Sequence, residues 1–263
     1  MSSKFLARCR LAALVLLLPF LVARPAAAAI DFTDLWWNPA ESGWGVTFTQ
    51  SDDFLFATFF IHGPSLEPVW YTGQLTRASN GVWSGPLYLT AASYFGAPWN
   101  PAQTANSQVG TATFTPASEF NGTLTYNVGA VPVFKQITRQ TLQTIAAAGS
   151  YLGGIVTDVT NCSNPLLNQT TRLYADFTVT QVPGSQLQID FLPATGGTYR
   201  MAGLYIQDGQ LFRIPSAAYT GPSLSTTATV SQVKVTSQGF EGQWVATVNG
   251  GCTENGYFSA VLR

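Results

Sequence analysis

The sequence predicts an all-β protein: two tandem antiparallel β-barrel or β-sandwich domains of about eight strands each, behind a signal peptide. Three observations carry this prediction. Charged residues make up only 10% of the chain, while aromatics reach 13% and glycines number 24, a composition of strands and turns rather than helices. In the C-terminal half, apolar and polar residues alternate with period two, as half-buried antiparallel sheet requires. Throughout, short apolar runs are punctuated by Gly, Pro, Asn and Asp.

The chain of 263 residues opens with a segment that reads as an address. Lys4, Arg8 and Arg10 form a basic region, 11–23 an apolar core, and 26–29 a stretch of small residues suited to cleavage. The apolar stretch is too short, and too soon followed by Arg24 and Pro25, for a spanning helix. Cys9 precedes it, which argues against a lipid anchor. The mature protein is expected to be soluble and exported, to the periplasm or beyond. Removing 1–29 takes four of twelve basic residues and leaves eight against thirteen acidic, a net charge of about −5. That balance, without a basic cluster, argues against a nucleic-acid or anionic-membrane partner.

Two mature domains follow, 30–144 and 146–263, divided at the Ile-Ala-Ala-Ala-Gly stretch 145–149. Strands are predicted in the first near 31–37, 43–50, 54–62, 69–76, 82–89, 109–115, 121–128 and 131–139. Residues 54–61 are apolar on both faces, so that strand is expected to be covered on both sides. The connection 90–108 is long for a compact domain and aromatic, the profile of a lid or binding loop. Its Trp99-Asn100-Pro101-Ala102 echoes Trp37-Asn38-Pro39-Ala40, which shared turn chemistry explains better than a repeat.

In the second domain the strands are predicted near 150–159, 172–182, 186–192, 199–207, 210–216, 227–236, 240–248 and 256–262, with Asp208-Gly209 as a type I′ hairpin signal. Cys162 and Cys252 are the only mature cysteines, and in an oxidising compartment a bridge between them is expected. Cys162 follows the first strand and Cys252 precedes the last. In an up-and-down barrel these points meet at one rim, so the bridge would fasten the closing seam. A sandwich also satisfies that pairing.

Residues 35–45 read Leu-Trp-Trp-Asn-Pro-Ala-Glu-Ser-Gly-Trp-Gly. Pro39 pushes Asn38 to extended geometry, and Gly43 and Gly45 open backbone angles closed to other residues, so this is a structured turn between strands. Trp37, Asn38, Pro39, Glu41, Ser42, Gly43 and Gly45 match a Trp-x-Asn-Pro-x-Glu-Ser-Gly-x-Gly signature. The segment resembles that of a group of uncharacterised exported bacterial proteins. The resemblance covers mainly 31–140, with a looser likeness at 149–162 and 252–263. It implies a secreted β-domain and no particular reaction.

The chain has a single histidine, His62, and two mature cysteines, so multi-histidine and four-cysteine zinc sites are excluded, and neither metal nor cofactor is expected. Ser42 lacks the first glycine of a nucleophile elbow. Glu41 and Glu67 remain a formal acid–base pair for a sugar, although a carboxylate in such a turn more commonly accepts hydrogen bonds within it. Trp70, Trp83 and Trp244, embedded in strands, are expected in the core. The expected ligand site lies beside the signature turn, with Trp36, Trp37 and Trp44 as platforms and Asn38, Glu41 and Ser42 as polar groups. Tyr94 and Trp99, with Phe95, close over it from the long loop. The resulting reading is a non-enzymatic exported binding protein for a carbohydrate or small apolar ligand. The alternatives are a structural or interaction module of the surface or matrix, and a carboxylate-dependent glycan hydrolase.

Overall fold

Alternating side chains need a closed surface with one dry face, and this chain makes two of them. The computed structural model describes residues 30–263; the predicted signal segment lies outside the described residues. The first barrel consists of β1 (Asp34–Trp37), β2 (Gly45–Ser51), β3 (Phe54–His62), β4 (Pro68–Arg77), β5 (Trp83–Ala91), β6 (Ala105–Pro116), β7 (Asn121–Val128) and β8 (Val131–Arg139). Each strand pairs antiparallel with the next, and β1 closes on β8. The second comprises β9 (Gly149–Thr160), β10 (Gln169–Gln181), β11 (Gln186–Pro193), β12 (Tyr199–Leu204), the short β13 (Ile206–Asp208), β14 (Leu211–Gly221), β15 (Leu224–Val235), β16 (Gly239–Val248) and β17 (Cys252–Leu262). It closes because β12 also pairs with β14, and β17 with β9.

The interiors are filled with aromatics. In the first barrel Phe32, Trp36, Phe48, Trp83 and Phe114 interlock, with ring centroids 4.9–6.2 Å apart. In the second, Phe177, Phe191, Phe240, Trp244 and Phe258 do the same. Burying each such side chain stabilises by roughly 1.5–3 kcal/mol. The core expectation holds for Trp83 and Trp244, each 1% exposed. It fails for Trp70, which is 56% exposed. Along β4 the inward set is Tyr71, Gly73 and Leu75, while Trp70 shares the outward set with Thr72, Gln74 and Thr76. The strand 54–62 is likewise covered on one side only. Leu55, Ala57 and Phe59 point inward, but Phe54, Phe56 and Phe60 stay exposed because nothing packs on the outer wall of a barrel.

The cysteines meet as the barrel seam requires. Thr160 of β9 pairs with Thr253 of β17, and Cys162 and Cys252 are bonded with Cα atoms 4.0 Å apart. The Asp208-Gly209 signal does mark a two-residue turn between paired Asp208 and Leu211. Of its central residues only Gly209 has positive φ (64°), whereas type I′ requires both, so the expected turn type is not the one formed.

The lower rim of the first barrel meets the hairpin 208–211 and the bulged part of β15. A buried ion pair sits at this junction. Asp34 accepts from Arg139 Nη1 (3.1 Å), the Leu35 amide (2.9 Å) and, across the junction, the Gln210 amide (2.9 Å). Arg139 also donates to Glu119 O and Thr33 O and lies 4.9 Å over the Trp36 ring. Lys234 reaches Asp31 at 3.1 Å. A buried pair with this many donors and acceptors satisfied is expensive to break.

Candidate functional site

The chain direction places the β1–β2 turn, the β3–β4 loop, the β5–β6 loop and the β7–β8 turn at the upper rim of the first barrel, opposite the junction. The signature turn is built from its own sequence. The Asn38 carbonyl accepts from the Glu41 amide (2.9 Å) and its side chain from the Ala40 amide (3.0 Å), an Asx turn preset by Pro39. Gly43 sits at φ +103°. Gly45 answers a different need: a Cβ there would lie 2.4 Å from the Phe60 ring, which covers the glycine from β3. The second Asn-Pro turn repeats this chemistry, with Asn100 accepting from the Ala102 amide (3.0 Å), and Asn164-Pro165 repeats it again. The echo between 37–40 and 99–102 is therefore shared turn chemistry.

The signature side chains divide. Trp36, an expected platform, is 0% exposed and belongs to the core. Its indole donates to Phe32 O (3.0 Å) beneath the ring stack, and no ligand can reach it. The cause is legible in the alternation of Phe32, Asp34 and Trp36, all inward. Trp37 is half-buried in register with Thr138. Ser42 is exposed at the tip. Trp44 is half-buried; its indole donates to Glu41 Oε2 (3.0 Å), and the Lys135 ammonium both pairs with Glu41 and stands 5.3 Å over the Trp44 ring. Glu41 thus takes side-chain donors rather than the backbone donors expected of it. Lys135, through its hydrogen bond, is the main cause holding the Glu41 carboxyl below its ordinary range. Inside the mouth, Tyr126 packs 5.2 Å from Phe59, and burial followed by the Glu41 charge pushes its phenol pKa up. The mouth is closed by side chains.

Exposed aromatics gather elsewhere on this rim. Phe60 and Trp70 are direct cross-strand partners on the outer wall. One strand further, the loop between β5 and β6 carries Tyr94, Phe95 and Trp99, exposed at 67%, 94% and 66%. This loop runs 92–104 rather than 90–108, because the flanking strands extend further and 101–103 form a 3₁₀ turn. It is tied down: Ser93 Oγ donates to Asn100 O (3.0 Å) and accepts from its amide (2.8 Å). Tyr94 and Phe95 pack at 4.7 Å. Sequence reading placed Tyr94 and Trp99 here but missed Phe60, Trp70 and Lys135. The polar partners of Trp70 along β4 were the available signal for its outward direction.

Glu41 and Glu67 each have partners of their own. Glu67 accepts from the Ser65 amide (2.9 Å) within its own loop, while Glu41 is engaged with Lys135 and Trp44. His62 ends β3 opposite Pro68. Among the described residues, no helix is long and apolar enough to cross a membrane.

No protein-family model matches the chain, and no curated protein matches it. Among solved structures, it is similar to a candidate outer membrane protein from Bacteroides fragilis, at 14% identity over 88% of this chain and 97% of that one, with a TM-score of 0.35. It is also similar to a protein of unknown function from the DUF3598 family of Nostoc punctiforme, at 9% identity over 87% of this chain and 93% of that one, with a TM-score of 0.28. Superpositions at this level carry no inference about this chain.

Proposed function

We propose that this protein is an exported, non-enzymatic glycan-binding protein whose first barrel holds a saccharide chain against its exposed aromatics. One observation carries the reading. Phe60, Trp70, Tyr94, Phe95 and Trp99 lie on neighbouring strands and one loop of a single rim, in solvent, on backbone fixed before any ligand arrives. With the backbone fixed, what remains to be ordered on association is the rings themselves, at roughly 0.5–1.5 kcal/mol each. Rings open to solvent suit the apolar face of a sugar, whose hydroxyl edges remain wet. A small apolar ligand would instead call for an enclosed cavity, and the first barrel is filled by its own core.

In this reading Asn38, Glu41 and Ser42 supply polar groups at the signature turn of the same rim, with the Trp37 and Trp44 rings and Lys135 beside them. The Cys162–Cys252 bond supports export, because such bonds persist in oxidising compartments. Hydrolysis is the weaker reading: a general acid needs a raised pKa, and Glu41 is shifted the other way.

Titration of intrinsic tryptophan fluorescence with soluble oligosaccharides tests the proposal. Saturable changes that Trp99→Ala and Trp70→Ala abolish, with circular dichroism unchanged, are expected. Absence of a response to every glycan offered would overturn it. Hydrolysis lost on Glu41→Gln would replace it with the enzymatic reading.

A further inference from the structure

The wall of the second barrel is interrupted at one point. Ser231 of β15 faces Gln243 of β16, and the register resumes with Lys234 opposite Glu241. Gln232 and Val233 therefore oppose Gly242 alone, which is a β-bulge. Gln232 holds φ +52°, a left-handed conformation that glycine would adopt freely. Strain of this kind is found where it positions a functional side chain. Here it sets the Gln232 amide at the mouth of a cavity of about 270 Å³, in the cleft where Asp31 of the first barrel meets this wall.

The lining has a consistent chemistry. Phe258 and Tyr257 supply apolar surface, and the Phe258 ring lies where a Cβ of Gly242 would fall, 2.5 Å from its edge. Gln232, Gln243 and Glu241 supply planar polar groups. Lys234 is already paired with Asp31, so two carboxylates stand against one ammonium and an anion is disfavoured. The volume falls just under the roughly 300–1,000 Å³ of sites for drug-sized ligands. It suits one ring, not a chain or a lipid.

We propose that this cavity is a binding site for a single neutral sugar ring, separate from the aromatic rim of the first barrel and independent of its function. The Gln243 amide nitrogen is already engaged with Ser231 Oγ (3.3 Å) and the Gln232 side chain with Glu119, so the two amide carbonyls and the Glu241 carboxylate accept from the hydroxyls, and Tyr257 and Phe258 meet the ring face.

The test is ¹⁵N-resolved NMR of residues 30–263 titrated with glucose, N-acetylglucosamine and glucuronate. Saturable shifts centred on Gln232, Gly242 and Gln243 are expected with the neutral sugars, and weaker binding with glucuronate. Glu241→Ala and Gln243→Ala should each weaken binding about tenfold, the scale of one hydrogen bond to a charged or well-placed polar group. Gln232→Gly should relieve strain yet weaken binding, whereas a bulge with a merely structural role would leave binding unchanged. Absence of shifts, shifts confined to the first barrel, or shifts indifferent to Glu241→Ala and Gln243→Ala would overturn the proposal. Shifts at the bulge in a protein that binds no oligosaccharide at its aromatic rim would sink only the glycan-chain reading.

Discussion

The two barrels share an antiparallel architecture and an aromatic interior but differ in what they show to solvent and in how they are held closed. The first exposes Phe54, Phe56, Phe60, Trp70, Tyr94, Phe95, Trp99 and Phe134; among the described residues of the second, Tyr174 is the one aromatic of comparable exposure. Elsewhere the second wall shows scattered aliphatics such as Leu152, Leu192 and Val261, of the kind most protein surfaces carry singly. The first barrel closes through a short β1–β8 pairing of two residue pairs, reinforced by Arg139 and Asp34. The second closes through a ten-pair β9–β17 seam with a covalent bond beside it. The same architecture is thus aromatic on its outer wall in one half and covalently fastened in the other.

The largest expected effect tests that division of labour. The bridge closes a loop spanning 90 residues, and the chain-entropy treatment assigns it about 4–5 kcal/mol. Reduction should lower the urea midpoint of the second barrel and leave that of the first in place. Chains covering 30–144 and 146–263, produced separately, should each give β-type circular dichroism, with only the second sensitive to reductant. An equal drop in both transitions of the intact protein on reduction would make it one cooperative unit. Asp34→Ala comes next: it leaves the Arg139 guanidinium buried without its partner and the Gln210 amide without its acceptor. A loss of about 3–5 kcal/mol, larger in the first barrel's transition than in the second's, is expected in urea unfolding.

A third experiment separates platform from core within the first barrel. Trp36→Ala should cost about 3–5 kcal/mol, because it hollows the stack of Phe32, Phe48 and Phe114. Trp70→Ala and Trp99→Ala should change stability by no more than about 0.5 kcal/mol, as surface substitutions do, and should act on binding instead. A large loss of stability in Trp99→Ala would return that residue to a structural role.

Much of the fold was legible because barrels obey local rules. Period two, turn residues and the position of Cys162 and Cys252 located the strands and the seam without any long-range information. What failed was direction within an apolar run. Residues 54–61 are apolar at nearly every position, so alternation is silent there, and only closure shows that Phe56 and Phe60 face water while Leu55 and Phe59 do not. Trp70 was misassigned by its size, although Thr72, Gln74 and Thr76 mark its face as the wet one. Trp36 went the other way: its place in a signature suggested exposure, while its spacing from Phe32 and Asp34 gave its true direction. The Lys135 contact to Glu41 joins residues 94 positions apart and left no trace in the sequence. Nor did the β15 bulge, since Gln232 is an ordinary strand residue by composition.

The smallest expected effect concerns pH and opposes the two rims of the first barrel. At the upper rim, Lys135 holds the Glu41 carboxyl below the ordinary glutamate value of 4.5. The folded state therefore prefers the ionised form there. That contribution is fully present above about pH 4.5 and disappears as pH falls through the lower folded value. At the junction, burial raises Glu119 above 4.5, ahead of opposing effects from Gln232, Arg139 and Arg213. Its contribution has the reverse sign: fully present below pH 4.5, it is lost as pH rises through the raised value. Urea midpoints of the first barrel across about pH 3 to 7 should show both. Glu41→Gln should remove part of the loss on acidification, and Glu119→Gln should gain stability relative to the parent only on the alkaline side of that window. A loss on the alkaline side for Glu119→Gln would mean that the carboxylate is paired rather than desolvated, and that the junction is held by charge at a second point beside Arg139.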